Sequence, residues 1–150
     1  MAKHSDDFSK VPHRGPGLLL LLAASRWRFT AESTFEESGL SAIKTLVLLS
    51  THALHTKNGP ANQVDIARYA GLDVMTMSKN VRILEAQSLV KRTTNPTDSR
   101  ARTVELTKEG TVKLKKVVKG LDAIDDVAFD DLGGVQKLRK TLSAYIGNTQ

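Results

Sequence analysis

A chain of 150 residues, 40% apolar and 25% charged, fits one compact soluble domain, or one domain with an extension. It has no cysteine, which excludes disulfides, thiolate metal sites, cysteine nucleophiles and any thiol redox switch, and suits a reducing cytoplasm. The net charge of +6 favours polyanionic partners, and it is unevenly spread: from Arg68 to Arg102 seven cations face three carboxylates, Asp73, Glu85 and Asp98.

Residues 1–16, with Lys3, His4, Asp6, Asp7, Pro12, Gly15 and Pro16, read as a flexible N-terminal arm. Residues 17–37 read as one long helix rich in Leu and Ala, apolar nearly all round at its start. Its run GLLLLLAA is too short for a membrane span, which needs about 20 apolar residues. Arg26 and Arg28 follow at once, with no small-residue cleavage site. A helix of this kind is expected to be buried against protein, often another chain. Gly39 ends it and Ser41 caps the next helix. The apolar face of that helix is read as Ile43, Leu46, Val47, Leu49 and Leu54, and residues 56–62, with Asn58-Gly59-Pro60, as a loop.

NQVDIARYAGL is the next helix, stopped by Gly71, and Asp73 caps VMTMSKNVRILEAQSLV. In the latter Met77, Val81 and Leu84 recur at i, i+4 and i+7 and face inward, leaving Thr76, Ser78, Lys79 and Arg82 outside. Two short helices joined by Ala70-Gly71-Leu72-Asp73 form a helix-turn-helix pattern. Residues 89–94 read as a strand, 95–99 as a turn and 102–107 as the return strand of a β-hairpin. Thr107 caps a long helix with a stripe of Leu114, Val117, Val118, Leu121, Ile124 and Ala128, and Lys113, Lys115, Lys116 and Lys119 lie off it as a solvated face. After Gly133-Gly134 a last helix carries Val135, Leu138, Leu142 and Tyr145 at heptad-like spacing. Only the hairpin is expected to be strand, so the fold class is mainly α with a minor β part.

The major groove of DNA admits an α-helix, and short polar and long cationic side chains reach its base edges and phosphates. Thr76, Ser78, Lys79 and Arg82 meet that description. Arg100 and Arg102, near the hairpin tip, suit the concentrated negative potential of a narrow minor groove. Asp98 is better placed to orient them than to face phosphate, and Lys91 and Arg92 face either the DNA backbone or solvent. Val104 and Leu106 alternate inward and fix the hairpin to the core.

DSRARTVELTKEG, residues 98–110, resembles the wing signature of the MarR (multiple antibiotic resistance regulator) family in Asp98, Arg100, Val104, Leu106, Thr107 and Gly110. VDIARYAGLDVMTMSKNVRILEAQSLVKR resembles the family's helix-turn-helix, and GLSAIKTLVLL its second helix; the resemblance runs over residues 17–147. It implies a winged helix-turn-helix homodimer, with residues 17–37 and 111–150 as dimerisation helices and 38–110 as the DNA-binding domain. It also implies a cytoplasmic, nucleoid-associated transcriptional regulator, more often a repressor, on a pseudo-palindromic operator, with release by an anionic or aromatic small molecule. Two residues depart from the family pattern. Asn80 stands where an apolar residue is usual, which loosens either the packing or the helix register, and Ser88 stands where a glycine would relieve a left-handed helix stop.

His52 and His55 share one helix face, and Trp27 sits between Arg26 and Arg28; they are candidates for an effector pocket as well as for interface packing. No further ligand cluster accompanies the histidines, so neither metal nor cofactor is expected. There is no HExxH, phosphate-cradling glycine loop or GxSxG, and an enzyme is not expected. The rival readings are an architectural DNA-binding dimer without operator preference and a winged-helix protein-interaction module.

Overall fold

The computed structural model describes residues 15–94, 102–130 and 134–148. Pro16 opens α1 (Pro16–Thr30), where a fixed φ and a missing N–H cost nothing in a first turn. The helix expected over residues 17–37 is interrupted at Ala31 and resumes as α2 (Glu32–Ser38). The break is slight: Ala31 still donates to the Trp27 carbonyl at 2.9 Å, and Phe35 to that of Ala31 at 3.2 Å. Gly39 closes α2 at φ 66°, a left-handed stop that glycine adopts without strain.

Ser41 accepts the Lys44 N–H and starts α3 (Ala42–Asn58). This helix consumes part of the expected loop, and β1 (Ala61–Asn62) takes more of it. The helix-turn-helix follows as α4 (Gln63–Ala70) and α5 (Val74–Ala86), then the wing strands β2 (Val90–Thr94) and β3 (Arg102–Leu106), then α6 (Lys108–Ala128) and α7 (Val135–Asn148). The sheet is antiparallel, ordered β1-β3-β2. Ala61 pairs with Val104, and Val90 with Leu106. The hairpin is therefore not the sole β structure. β1 stitches the wing to the start of α4, which holds the wing and the helix-turn-helix as one body.

The core lies among α3, α4, α5, the sheet and the first half of α6, with Val47, Leu48, Ile66, Met77, Leu84, Val104 and Val117 all essentially inaccessible. The apolar face of α3 differs from expectation. Val47 is buried as expected, together with Leu48, Thr45, Ser50 and Thr51, whereas Ile43, Leu46 and Leu49 are exposed. The cause is that α3 is central: α4, α5, β3 and α6 pack around it and claim the flank carrying Val47 and Leu48. On α6 the stripe is buried at Leu114 and Val117, half-buried from Val118 to Ile124, and exposed at Ala128.

No residue of α1 is buried within its own chain, and Leu21 alone is 67% exposed. Leu18, Leu19, Leu20, Leu22 and Phe29 are also exposed, as are Tyr145 and Ile146 on α7. Exposed leucines clustered along one helix in this way mark an interaction site. Among the described residues no helix is long and apolar enough to cross a membrane.

Candidate nucleic-acid interface

The recognition unit is built from caps. The Asn62 side-chain oxygen accepts the Asp65 N–H at 2.9 Å while its amide donates to the Asp65 carboxylate at 2.8 Å, reciprocal bonds that satisfy the first turn of α4. Gly71, at φ 64°, stops α4. Asp73 then accepts both the Thr76 N–H at 2.8 Å and the Thr76 hydroxyl at 2.6 Å. These two bonds hold the Asp73 carboxyl below its usual range, because they stabilise the charged form.

Met77, Val81 and Leu84 are completely buried, so the register of α5 is as expected from its periodicity. Asn80 does not disturb it: half-buried, it donates to the Thr76 carbonyl at 2.8 Å. Lys79 and Arg82 are exposed, and Thr76 and Ser78 are half-buried at the flanks of the outward face. The centre line of that face also holds Met75, 84% exposed and one turn before Lys79. Sequence reasoning passed over it because a methionine usually reads as core. The available signal was spacing: Met75, Lys79 and Arg82 stand at i, i+4 and i+7, opposite the buried Met77, Val81 and Leu84.

In the wing, Arg102 is exposed and pairs in register with Thr94. Asp98 and Arg100 lie outside the described residues. Lys91 is exposed but ion-paired to Glu105 at 3.1 Å. Arg92 is half-buried and gives Glu85 a two-pronged contact, through Nε at 2.9 Å and through Nη2. The Arg92 guanidinium, with Arg102 contributing, holds the Glu85 carboxyl below its ordinary value. A depressed carboxyl pKa adds stability above the unfolded value and loses it as pH falls through the folded one. Glu85→Gln is therefore expected to cost about 1 kcal/mol or less near neutrality, as a partly exposed pair does. That difference should begin to shrink as the pH falls below the unfolded carboxyl value of 4.5 and vanish only below the lower folded one. Urea midpoints of both proteins at pH 7 and at the acid end of that window check this; a constant difference would exclude the pair as its source.

The wing is anchored at one junction. Ser88 has φ 58°, the only non-glycine with positive φ among the described residues. The Thr107 hydroxyl donates to the Ser88 carbonyl at 2.7 Å and accepts the Gly110 N–H at 2.9 Å, while the Thr107 N–H donates to the Leu89 carbonyl at 3.1 Å. One threonine thus caps α6 and ties it to the residue where α5 turns into β2. Ser88→Gly is expected to stabilise the fold by about 0.5–1 kcal/mol, the relief of a left-handed side chain less the added freedom of the unfolded chain. A higher denaturation midpoint at unchanged slope checks it; no rise would mean that Ser88 carries no strain.

His52 and His55 come together with Glu105, Leu106 and Thr111 around a cavity of about 210 Å³ between α3, β3 and α6. Trp27 is not in it. Its indole donates to Asp125 at 2.6 Å and its ring meets Phe35 edge-on at 6.3 Å, which joins α1 to α2 and α6. Among the described residues no group of three or more metal-binding side chains is placed to hold an ion.

Residues 42–101 match the family described as the MarR family. The HTH-type transcriptional regulator YdcH of Bacillus subtilis (strain 168) is 26% identical over 136 residues, 86% of this chain and 92% of YdcH. The structure of CouR from Rhodococcus jostii RHA1 bound to p-coumaroyl-CoA is 26% identical, covers 87% of this chain and 90% of its own, and superposes with TM-score 0.69. The transcriptional repressor CouR bound to a 23-mer DNA duplex superposes at 0.73 with 24% identity, over 89% of this chain and 91% of that one. The capped helix-turn-helix, the anchored wing and these likenesses agree: residues 42–101 match the MarR family, and over most of its length the chain is similar to HTH-type transcriptional regulators with a winged-helix fold.

Proposed function

We propose that the protein is a homodimeric repressor that occupies a pseudo-palindromic operator and leaves it when a small organic anion binds. The observation that carries the DNA half is the outward face of α5. Lys79 and Arg82 are exposed there on a helix whose opposite face is fully buried, as a helix entering the major groove must be. Thr76 and Ser78 flank that face, Arg100 and Arg102 serve the minor groove beside it, and Asp98 orients them. Lys91 and Arg92, engaged by Glu105 and Glu85, shape the wing and touch phosphate only at its edge.

The dimer half rests on α1. The exposed leucines of α1, Leu18 to Leu22, carry it, and residues 17–37 and 111–150 of a second copy supply a matching surface. Residues 38–110 remain free to bind DNA, with residues 1–16 as an arm. The effector half rests on likeness, since CouR has been seen with p-coumaroyl-CoA, and on the cavity lined by His52 and His55, whose imidazoles are suited to a carboxylate. Trp27 reports on α1 rather than lining that cavity.

The test is fluorescence anisotropy on a duplex selected by the full chain from a random pool, against a scramble at two salt concentrations. Two chains per duplex and at least about a hundredfold preference are the expected result, within the range of specific binders. Equal affinity for both duplexes would support the architectural reading, and binding to neither the protein-interaction module. Aromatic carboxylates and their thioesters are then added to the complex, and a fall in anisotropy identifies the effector class.

A further inference from the structure

We propose that Met75 reads the C5-methyl group of a thymine in the major groove of each operator half-site. This rests on the DNA-binding reading of α5. Met75 is the second residue of that helix, and the first residues of a recognition helix are those that meet base edges. Its side chain is 84% exposed and its neighbour Val74 53%, an apolar tip on an otherwise cationic stripe.

A thioether can do nothing for a phosphate. Among the base edges of the major groove only thymine presents an apolar group, its methyl. The neighbouring polar groups leave this role open. The Thr76 hydroxyl is donated to Asp73 at 2.6 Å, and Ser78 is half-buried. The Asp73 carboxylate, engaged by the Thr76 N–H and hydroxyl, caps the helix instead of facing the groove. An apolar protein surface is a poorer occupant, because Lys79 and Arg82 continue the same outward line and would be stripped of water against it. An unbranched methionine has the flexibility to follow a methyl through the small shifts that docking brings.

The experiment uses the full chain and an operator selected from a random duplex pool. Each dT is replaced in turn by dU, which pairs identically but lacks the methyl. At one position per half-site, affinity should fall about fourfold, and about fifteenfold when both half-sites are changed, the scale of one buried methyl group. Met75→Ala, expected to keep its unfolding midpoint because the side chain is exposed, should bind the dT operator more weakly by a similar factor. It should no longer distinguish dT from dU at that position. If no position responds to dU, or if Met75→Ala still responds at the same one, the inference is overturned while the DNA-binding reading stands. If the pool yields no preferred duplex, the specific-regulator reading fails first.

Discussion

Gly110→Ala is expected to destabilise the protein by about 3 kcal/mol or more, enough to leave much of it unfolded at moderate temperature. A Cβ at this position would lie 1.9 Å from the Leu89 carbonyl oxygen, 2.8 Å from its carbon and 3.2 Å from its Cα. All three are backbone atoms, so no rotamer change relieves the clash. The helix start cannot simply back away either. The Gly110 N–H is held by the Thr107 hydroxyl, whose own proton goes to the Ser88 carbonyl, and the Leu89 carbonyl receives the Thr107 N–H. Moving α6 outward breaks all of these and unseats Val90 and Leu106, which pair where the wing leaves the core. Gly120→Ala is the control. Its nearest obstacle is the Thr34 Cγ2 at 2.8 Å, a side-chain methyl that rotation can move, so a cost under about 1 kcal/mol is expected. Urea unfolding followed by circular dichroism compares the two; equal midpoints would mean that the close approach at Gly110 is not a constraint.

This junction was partly legible before any coordinates. Thr107 as a cap follows from local chemistry, since it depends on residues within one turn, whereas Ser88 as a strained stop was legible only against the family pattern, where a glycine is usual. The role of Gly110 stood in the sequence only as a letter of the wing signature, because the atom it must avoid belongs to Leu89, far away along the chain. The same distinction runs through the fold. The helix-turn-helix, its caps and the inward Met77, Val81 and Leu84 were readable from periodicity. β1 was not, because two residues carry no period and exist as a strand only by pairing with Val104 and Thr103. The α3 face was misjudged because a central helix is covered on several sides, and hydrophobicity does not say which neighbour arrives where. Arg92 looked like a free cation until α5 brought Glu85 to it. Met75 was hidden by residue type while its spacing gave it away. The wing tip, with Asp98 and Arg100, remains an expectation from sequence.

Replacing Lys79 and Arg82 together by alanine is expected to lower operator affinity about a thousandfold and leave the fold intact. Both side chains are exposed, so their removal opens no cavity, and the unfolding midpoint should stay within about 0.5 kcal/mol of the parent. A side chain that touches DNA is worth about 1–3 kcal/mol, and the proposed homodimer presents each of them twice. Four contacts at the low end of that range total about 4 kcal/mol, which is a factor near a thousand in Kd. The single variants divide the effect by mechanism. A residue that reads a base loses discrimination between operator and scramble with little change in salt dependence. One that meets phosphate weakens both duplexes alike and lowers the salt slope by about one per contact. Lys79 stands a turn deeper toward the helix N-terminus than Arg82, beside Met75, so the loss of discrimination should be larger for Lys79→Ala and the change in salt slope larger for Arg82→Ala. A double variant that binds within tenfold of the parent would remove α5 from the DNA surface and shift the role to the wing.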